Sequence, residues 1–394
     1  MKKYSFIILF IVVAAAGLFW GIGNFKSNVA AVNDSAEEVK IGMNLELTGT
    51  FEYYGISVAN GALLAFEEIN QAGGFNGIKI VPLKVDNVSD PVRSAFLANI
   101  LAQEGVVSVI GPSISDDFIQ TIPAAMRYKI PAVSATATAD EITVDRSGNA
   151  YDYVFRINFN SSSQADQMVK FALNNLGAKN AVVVRKLNNI YSNGLAQTFM
   201  KVFKENGGNI VDLINYTSYE TNFEPYLRRI QRENFDIIYL PGYDSEAANF
   251  IKQARELGIT QPILGGEAYD TPELFEIAGA SVLNDVYYTT DFLRSNPDPK
   301  VQNFIAAYKE KYGVEPFMDS ARGYDSAYFI VDAMKRAGSD DPQAIRDAMA
   351  STENFTGVTG TFSMDEEHNP IKTIYIIGLE NGIPTQRIVA ESTQ

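Results

Sequence analysis

Apolar and polar positions along the chain repeat with two periods, one typical of buried strands and the other of amphipathic helices. Residues 106–110 form a short apolar run that ends at Gly111-Pro112, helix-period spacing resumes at residues 118–126, and a second short run follows at residues 132–134. A short run that is apolar at nearly every position is typical of a parallel strand buried on both faces. The pattern therefore predicts a strand, a helix and a second strand, which together form a βαβ unit.

The same alternation continues on both sides of this unit. Strands are predicted at residues 39–45, 78–85, 181–184, 210–216, 235–240 and 262–265. Helices separate them, including one opened by Asp90-Pro91 that we expect to be buried through Val92, Phe96, Leu97, Ile100 and Leu101. Repeated αβ units of this length predict an α/β fold with two doubly wound parallel sheets. The strand-like segments 360–364 and 373–379 cannot be assigned to either sheet from the pattern.

Hydroxyl side chains follow the two strands of the central βαβ unit. We expect Ser115 to be the N-cap of the helix, and Thr136 and Thr138 follow the neighbouring strand. In such units a ligand binds beyond the carboxyl ends of the strands, near the N-terminus of the next helix. Two adjacent strand ends with free hydroxyls and amides can hold a carboxylate. Ser-Asp-Asp also caps helices that bind nothing, so the spacing alone leaves both interpretations open.

Composition narrows the class of protein. The chain has 394 residues, which is too long for one ordinary core, so two domains are expected. A hydrophobic fraction of 46% and a charged fraction of 20% are typical of globular proteins. The net charge of −15 argues against nucleic acid or an anionic membrane surface as a partner.

The chain has no cysteine and a single histidine, His368. Disulfides, thiol catalysis and Cys/His zinc sites are thereby excluded, and a Ser-His-Asp triad would depend on His368 alone. His368 lies in the polar sequence Asp365-Glu366-Glu367-His368-Asn369-Pro370, so we expect an exposed loop histidine. The sequence also lacks a Gly-x-Ser-x-Gly elbow and a P-loop. We therefore predict no catalytic residue, no metal site and no cofactor, with an amide hydrolase as the enzymatic alternative.

The N-terminal residues 1–38 have the pattern of an export signal. Lys2-Lys3 precede an apolar run at residues 6–22, and the polar segment after it contains Val29-Ala30-Ala31, a candidate cleavage site. The run is also close to the length of a membrane-spanning helix, so an uncleaved anchor is the alternative. In either case the rest of the chain is expected outside the cytoplasm, in the periplasm.

Several short segments between residue 39 and about residue 382 carry a resemblance to a known family. They are Val39-Lys40-Ile41-Gly42, Leu47-Thr48-Gly49, Glu68-Ile69-Asn70, Val109-Ile110-Gly111, Ser134-Ala135-Thr136-Ala137-Thr138, Tyr191-Ser192-Asn193-Gly194, Gly265-Gly266-Glu267 and Tyr324-Asp325-Ser326-Ala327. In this order they resemble the leucine/isoleucine/valine-binding proteins of bacterial amino-acid ABC transporters, which are type I periplasmic binding proteins. The resemblance implies two lobes joined by a three-crossover hinge, residues 39–156 with about 292–364 and residues 157–291 with about 365–394.

The resemblance also implies a ligand site between the lobes. In the first lobe, Ser115, the backbone of Thr136, and Thr138 match the positions that hold the α-carboxylate of an amino acid. In the second lobe, Glu267 matches the acid that binds the α-ammonium. The remaining matches are tyrosines and pocket residues, namely Tyr191, Tyr243, Tyr54 and Phe317.

The function that follows is the capture of an amino acid, branched-chain or related, by lobe closure and its delivery to an ABC transporter permease by a monomeric protein. The sequence departs from the family pattern at Asp116, Asn193 and Asp244, and extra polar groups there would favour a polar or even basic ligand side chain. A membrane-anchored sensory module of the same fold is the alternative to a transport protein.

Overall fold

The computed structural model describes residues 38–391. The strands are β1 (Glu38–Leu45), β2 (Lys79–Asp86), β3 (Ser108–Ile110), β4 (Ala132–Ser134), β5 (Val154–Arg156), β6 (Asn180–Lys186), β7 (Asn209–Tyr216), β8 (Ile237–Tyr239), β9 (Ile263–Leu264), β10 (Val286–Thr290), β11 (Phe355–Gly357), β12 (Gly360–Met364), β13 (Pro370–Ile371), β14 (Thr373–Glu380) and β15 (Ile383–Glu391). The helices are α1 (Glu52–Gln71), α2 (Pro91–Gln103), α3 (Ser115–Phe118), α4 (Ile122–Tyr128), α5 (Ser161–Asn174), α6 (Ile190–Glu205), α7 (Glu224–Ile230), α8 (Asp244–Glu256), α9 (Pro272–Ala278), α10 (Pro299–Tyr312), α11 (Met318–Ala337) and α12 (Pro342–Ala350).

These strands form two large sheets and one small sheet. The first sheet is parallel, with the strand order β2-β1-β3-β4-β5. The second has the order β15-β14-β10-β9-β8-β6-β7 and is parallel from β10 to β7. The two sheets confirm the predicted α/β architecture. The second sheet also contains an antiparallel pair, β14 and β15, which the pattern did not assign.

The chain passes between the two large sheets three times. It leaves the first sheet after β5, returns after β10 to form α10 to α12, and enters the second sheet again at β14. Helix α11 packs along α1, and both contribute to the core beneath the first sheet. Three passages give the hinge that the resemblance implies.

Two glycines allow α1 and α11 to approach closely. A Cβ atom at Gly61 would collide with the carbonyl oxygen of Ser320, and one at Gly323 would collide with the carbonyl oxygen of Val58. Backbone therefore packs against backbone where the two helices cross. This contact fixes the position of the first turn of α11, which reaches the candidate site.

Two predictions about the burial of side chains are wrong. Val92 and Phe96 were expected to bury α2, yet they are 79% and 62% exposed, because the helix faces the protein through Ser94, Ala98 and Leu101. His368 was expected in an exposed loop, yet it is only 8% exposed.

The His368 ring stacks on Phe155 with centroids 4.2 Å apart, and its Nδ1 lies 2.9 Å from the carbonyl oxygen of Val154. Burial lowers the pKa of His368. The predicted export signal lies outside the described residues, and between residues 38 and 391 no helix has the length and apolarity needed to cross a membrane.

Candidate functional site

A small cavity of about 20 Å³ lies where the carboxyl ends of the parallel strands of the two large sheets meet. Its lining comes from loops and from the first turns of helices in both halves of the structure. The lining residues are Tyr54, Ser113, Ile114, Ser115, Thr136, Ala137, Thr138, Tyr191, Tyr243, Glu267, Ala268, Met318 and Asp319. Ligands of α/β proteins bind at such strand ends, and in this structure the cavity has room for little more than about one water molecule. Seven of the eight predicted site residues are therefore brought together at one cavity.

The remaining predicted residue, Phe317, lies beside this cavity in the chain but is not part of its lining. Its ring lies 4.3 Å from the guanidinium carbon of Arg294. The next two residues of the chain, Met318 and Asp319, form the wall instead. Helix α11 begins at Met318, so its first turn, rather than the residue before it, is directed into the cavity.

Ser115 contributes to the wall in a different way from the predicted one. The N-cap of α3 is Ile114, and Ser115 is the first residue of that helix, so the predicted N-cap role of Ser115 is wrong. The Ser115 hydroxyl instead accepts a hydrogen bond of 3.3 Å from the Ala139 N–H group. Ser115 thus joins the loop after β3 to the loop after β4.

Glu46 holds the backbone just before Ser115. This carboxylate is fully buried and accepts hydrogen bonds from the N–H groups of Ser113 and Ile114 at 3.0 and 3.4 Å. Burial raises the pKa of Glu46. Burial, followed by the charge of Glu46, raises the pKa of the nearby Asp117 to about 8. The sequence pattern did not identify Glu46, because one acid after a strand carries no local signal.

The threonine side of the wall is fixed by hydrogen bonds. The Thr136 hydroxyl donates to the Ser113 carbonyl oxygen at 2.8 Å, so this side chain is committed to the protein and its backbone remains for a ligand. The Thr138 hydroxyl accepts a hydrogen bond of 3.3 Å from Ser161 at the start of α5. This wall therefore combines an ordered backbone with the hydroxyls of Ser115 and Thr138.

Arg156, at the end of β5, supports the loop that carries Thr138. Its guanidinium is fully buried and donates to the carbonyl oxygens of Thr138 and Ala139 at 2.8 and 2.9 Å and to the Thr143 hydroxyl at 3.2 Å. Burial lowers the pKa of Arg156 to about 10. The pattern gives no sign of this role, since a lone arginine at a strand end looks like a surface cation.

The second sheet supplies the aromatic and acidic wall. Tyr191 is the second residue of α6, Tyr243 precedes α8, and Glu267 begins a short 3-10 turn after β9. The Tyr191 and Tyr243 rings lie 5.2 Å apart, and the Tyr54 ring of α1 lies 5.8 Å from Tyr243. Burial raises the pKa values of these tyrosines well above the ordinary value, so they are neutral hydrogen-bonding groups.

Glu267 is one of the two acids that line the cavity. It is 5% exposed, and its Oε2 accepts a hydrogen bond of 3.4 Å from the Tyr191 hydroxyl. Burial raises the pKa of Glu267, while the Arg322 guanidinium acts in the opposite direction. A buried carboxylate of this kind is stabilised by a cationic partner.

The glycines before Glu267 are required by protein packing. A Cβ atom at Gly265 would collide with the Tyr269 ring, and one at Gly266 would collide with the Tyr191 hydroxyl. The absent side chains therefore make room for two tyrosines. They place Tyr191 against the turn that carries Glu267.

The two sides of the cavity also touch each other directly. Asp116 accepts hydrogen bonds from the Asn189 side chain at 2.7 Å and from the Ile190 N–H group at 3.2 Å. The Tyr54 hydroxyl donates to the Ala268 carbonyl oxygen at 3.4 Å. The structure therefore has the cleft closed. Within the described residues, no group of three or more His, Cys, Asp or Glu side chains is arranged to hold a metal ion.

Comparison with known proteins agrees with this architecture. The family model described as "Periplasmic binding protein" matches residues 38–382, so the chain belongs to the periplasmic binding protein family. This is a family of solute-binding proteins. The particular relatives are more informative: Leu/Ile/Val-binding protein homolog 1 of Brucella abortus (strain 2308) is 30% identical over 372 residues, 91% of this chain and 95% of the relative.

Two solved structures share the fold. One is the branched-chain amino acid transporter substrate binding protein LivJ of Streptococcus pneumoniae, in complex with isoleucine, with a TM-score of 0.83 and 32% identity over 90% of this chain and 100% of that one. The other is the leucine binding protein LivK of Thermotoga maritima, with a TM-score of 0.83 and 32% identity over 90% of this chain and 99% of that one. The predicted type I periplasmic binding protein fold is confirmed.

Proposed function

We propose that this protein binds an α-amino acid in the cavity between its two sheets and delivers it to the permease of an ABC transporter. The observation that carries the proposal is that the two sides of the cavity present different chemical groups. Ser115 and Thr138 offer hydroxyls among ordered backbone on one side, and the buried Glu267 offers a carboxylate on the other. Hydrogen-bond donors suit a carboxylate, and a buried acid suits an ammonium group. An α-amino acid carries both groups, a carboxylate and an ammonium, on the same carbon atom.

The names of the similar proteins support the transport role. The relative from Brucella abortus is named a Leu/Ile/Val-binding protein homolog, and the structure from Streptococcus pneumoniae is a transporter substrate binding protein with isoleucine bound. In this proposal Tyr54, Tyr191 and Tyr243 enclose the ligand. The protein acts as a monomer outside the cytoplasm, where the residues before 39 direct it.

In this proposal the boundaries of the two lobes lie where the chain passes between the two large sheets. Residues 39–156 with about 292–364 form the first lobe, and residues 157–291 with about 365–394 form the second. Because the ligand contacts both walls only when they are close together, it favours the closed form by its differential affinity. Small-angle scattering is expected to give a smaller radius of gyration with a bound amino acid than without it. An equal radius in the two samples would count against closure.

Thermal unfolding against a panel of amino acids tests the class of ligand. A ligand at one hundred times its dissociation constant stabilises the folded protein by about 2.7 kcal/mol, which raises the midpoint by several degrees. The matched controls are the 2-oxo acids with the same side chains, which keep the carboxylate and lack the amine. We expect a shift with at least one α-amino acid and a much smaller shift with its 2-oxo analogue. A panel without any shift would refute the proposal.

A further inference from the structure

Asp319 is a buried acid that the proposed binding of the α-amino and α-carboxylate groups does not use. It is the second residue of α11, is 2% exposed and forms part of the cavity wall. Its Oδ2 atom has no hydrogen-bond partner among residues 38–391. A buried polar atom without a partner costs free energy. An unpartnered carboxyl oxygen at a ligand cavity is a group that a ligand can satisfy.

No cation among residues 38–391 forms an ion pair with Asp319. The cation that acts on it is Arg322, one turn further along α11, whose Nε donates to Asp291 at 2.9 Å and whose two Nη atoms have no hydrogen-bond partner among the described residues. No ion pair within 4.0 Å joins Arg322 to Asp319 in the part of the chain that the structure describes. The other charged groups that act on Asp319 are the acids Asp270, Glu267 and Asp244.

The environment therefore favours a proton or a cation at this carboxyl. Burial raises the pKa of Asp319 well above the ordinary value, the guanidinium of Arg322 opposes the shift, and the surrounding acids add to it. Asp244 is similar, since burial, together with the charge of Glu273, raises its pKa to about 7. A purely apolar ligand side chain would leave the Oδ2 atom of Asp319 without a hydrogen-bond partner. A side chain with an N–H or O–H group would give it a partner.

We propose that the amino acid bound here carries a hydrogen-bond donor on its side chain, an amino group or a hydroxyl, and that Asp319 accepts the hydrogen bond. This inference rests on the proposed function, which supplies the class of ligand. Asp319 adds the side-chain selectivity. The two acids then have separate tasks, because Glu267 binds the α-ammonium and Asp319 distinguishes one side chain from another.

Calorimetric titration with pairs of nearly isosteric amino acids tests the inference. Ornithine and norleucine differ mainly by a terminal ammonium in place of a methyl group, and threonine and valine by a hydroxyl in place of a methyl group. In the wild-type protein we expect the donor-bearing member of at least one pair to bind about tenfold tighter or more, the effect of one hydrogen bond to a charged group. Asp319→Leu should abolish or reverse that preference.

Two further variants keep the test decisive. Asp319→Asn preserves the size of the side chain and an acceptor oxygen but removes the charge, so it should lose most of the preference for ornithine over norleucine. It provides this test if Asp319→Leu does not fold. Asp332→Asn changes a half-exposed acid on the same helix and should leave every affinity unchanged. Wild-type protein that binds norleucine and valine at least as tightly as their partners would overturn this inference and leave the proposed function intact. If no α-amino acid binds, both this inference and the proposed function are overturned.

Discussion

Replacing Glu267 with glutamine is the most direct test of how the cavity holds its ligand. The substitution keeps the shape of the side chain and its contact with the Tyr191 hydroxyl, and removes only the charge. Glu267 is 5% exposed, so solvent does not screen its interaction with a ligand ammonium. Breaking a buried, hydrogen-bonded charge pair costs about 2–5 kcal/mol. The affinity for the α-amino acid should therefore fall by a factor of about 30 to several thousand.

The unliganded variant should be at least as stable as the wild type. Burial raises the pKa of Glu267, which means that the ionised carboxylate is less stable in the folded protein than in water. A neutral amide at the same place avoids that cost. The free energy of unfolding at pH 8 should therefore stay equal or rise in Glu267→Gln. Loss of binding would then not result from loss of structure.

The assay is calorimetric titration of both proteins with the amino acid that gives the largest thermal shift, together with urea unfolding without ligand. Glu256→Gln is the matched control, since it makes the same chemical change at an exposed position at the end of α8. The control should bind as the wild type does. If Glu267→Gln also binds as tightly as the wild type, the ammonium of the ligand lies elsewhere and the assignment of Glu267 is wrong.

Three other predictions concern the opposite wall. Ser115→Ala and Thr138→Ala should each weaken amino-acid binding, measured by calorimetry, by about 1.5–3 kcal/mol, because each removes a hydroxyl available to a carboxylate; the variants should still fold, with a lowered unfolding midpoint, since Ala139 and Ser161 lose their acceptors. Arg156→Met should lower both the unfolding midpoint and the affinity, since four acceptors, including the Thr138 carbonyl, lose their donor; wild-type affinity would refute its positioning role. The pKa of Asp117 in the folded protein, about 8, lies above its ordinary value of 3.8. The free energy of unfolding should therefore fall as the pH rises between those two values. In urea titrations at pH 5 and pH 8, Asp117→Asn should make this fall smaller by more than about 1.4 kcal/mol.

The sequence predicted those parts of the site that depend on local pattern. Buried strands end where their apolar runs end, and polar residues such as Ser115, Thr136 and Thr138 follow directly. Because the ends of parallel strands meet at one edge of a sheet, the approximate location of the cavity follows from the pattern alone. Glu267 and the tyrosines came only from the resemblance. A glutamate after two glycines has no local feature that separates it from a solvated loop acid.

Residues that depend on contacts between distant segments could not be predicted in this way. His368 lies in a polar turn by sequence, yet it stacks on Phe155, more than two hundred residues earlier in the chain. Val92 and Phe96 have the spacing of a buried helix face, yet α2 uses the smaller side chains of Ser94 and Ala98 for that contact. Asp319 reaches the cavity because α11 crosses α1 at two glycines. Helix-period spacing carries no information on that crossing.

The distribution of acids around the cavity links its stability to its function. Glu46, Asp244, Glu267 and Asp319 are each at most 5% exposed, and burial raises the pKa of each. Such groups lower the stability of the folded protein as the pH rises. Both oxygens of Glu46 accept hydrogen bonds from backbone N–H groups, whereas Asp244 and Asp319 each keep an Oδ2 atom without a partner among residues 38–391. A core that served stability alone would use apolar side chains there. The cost becomes useful when a ligand brings positive charge or hydrogen-bond donors, because binding then stabilises the acids and closes the cleft in one step.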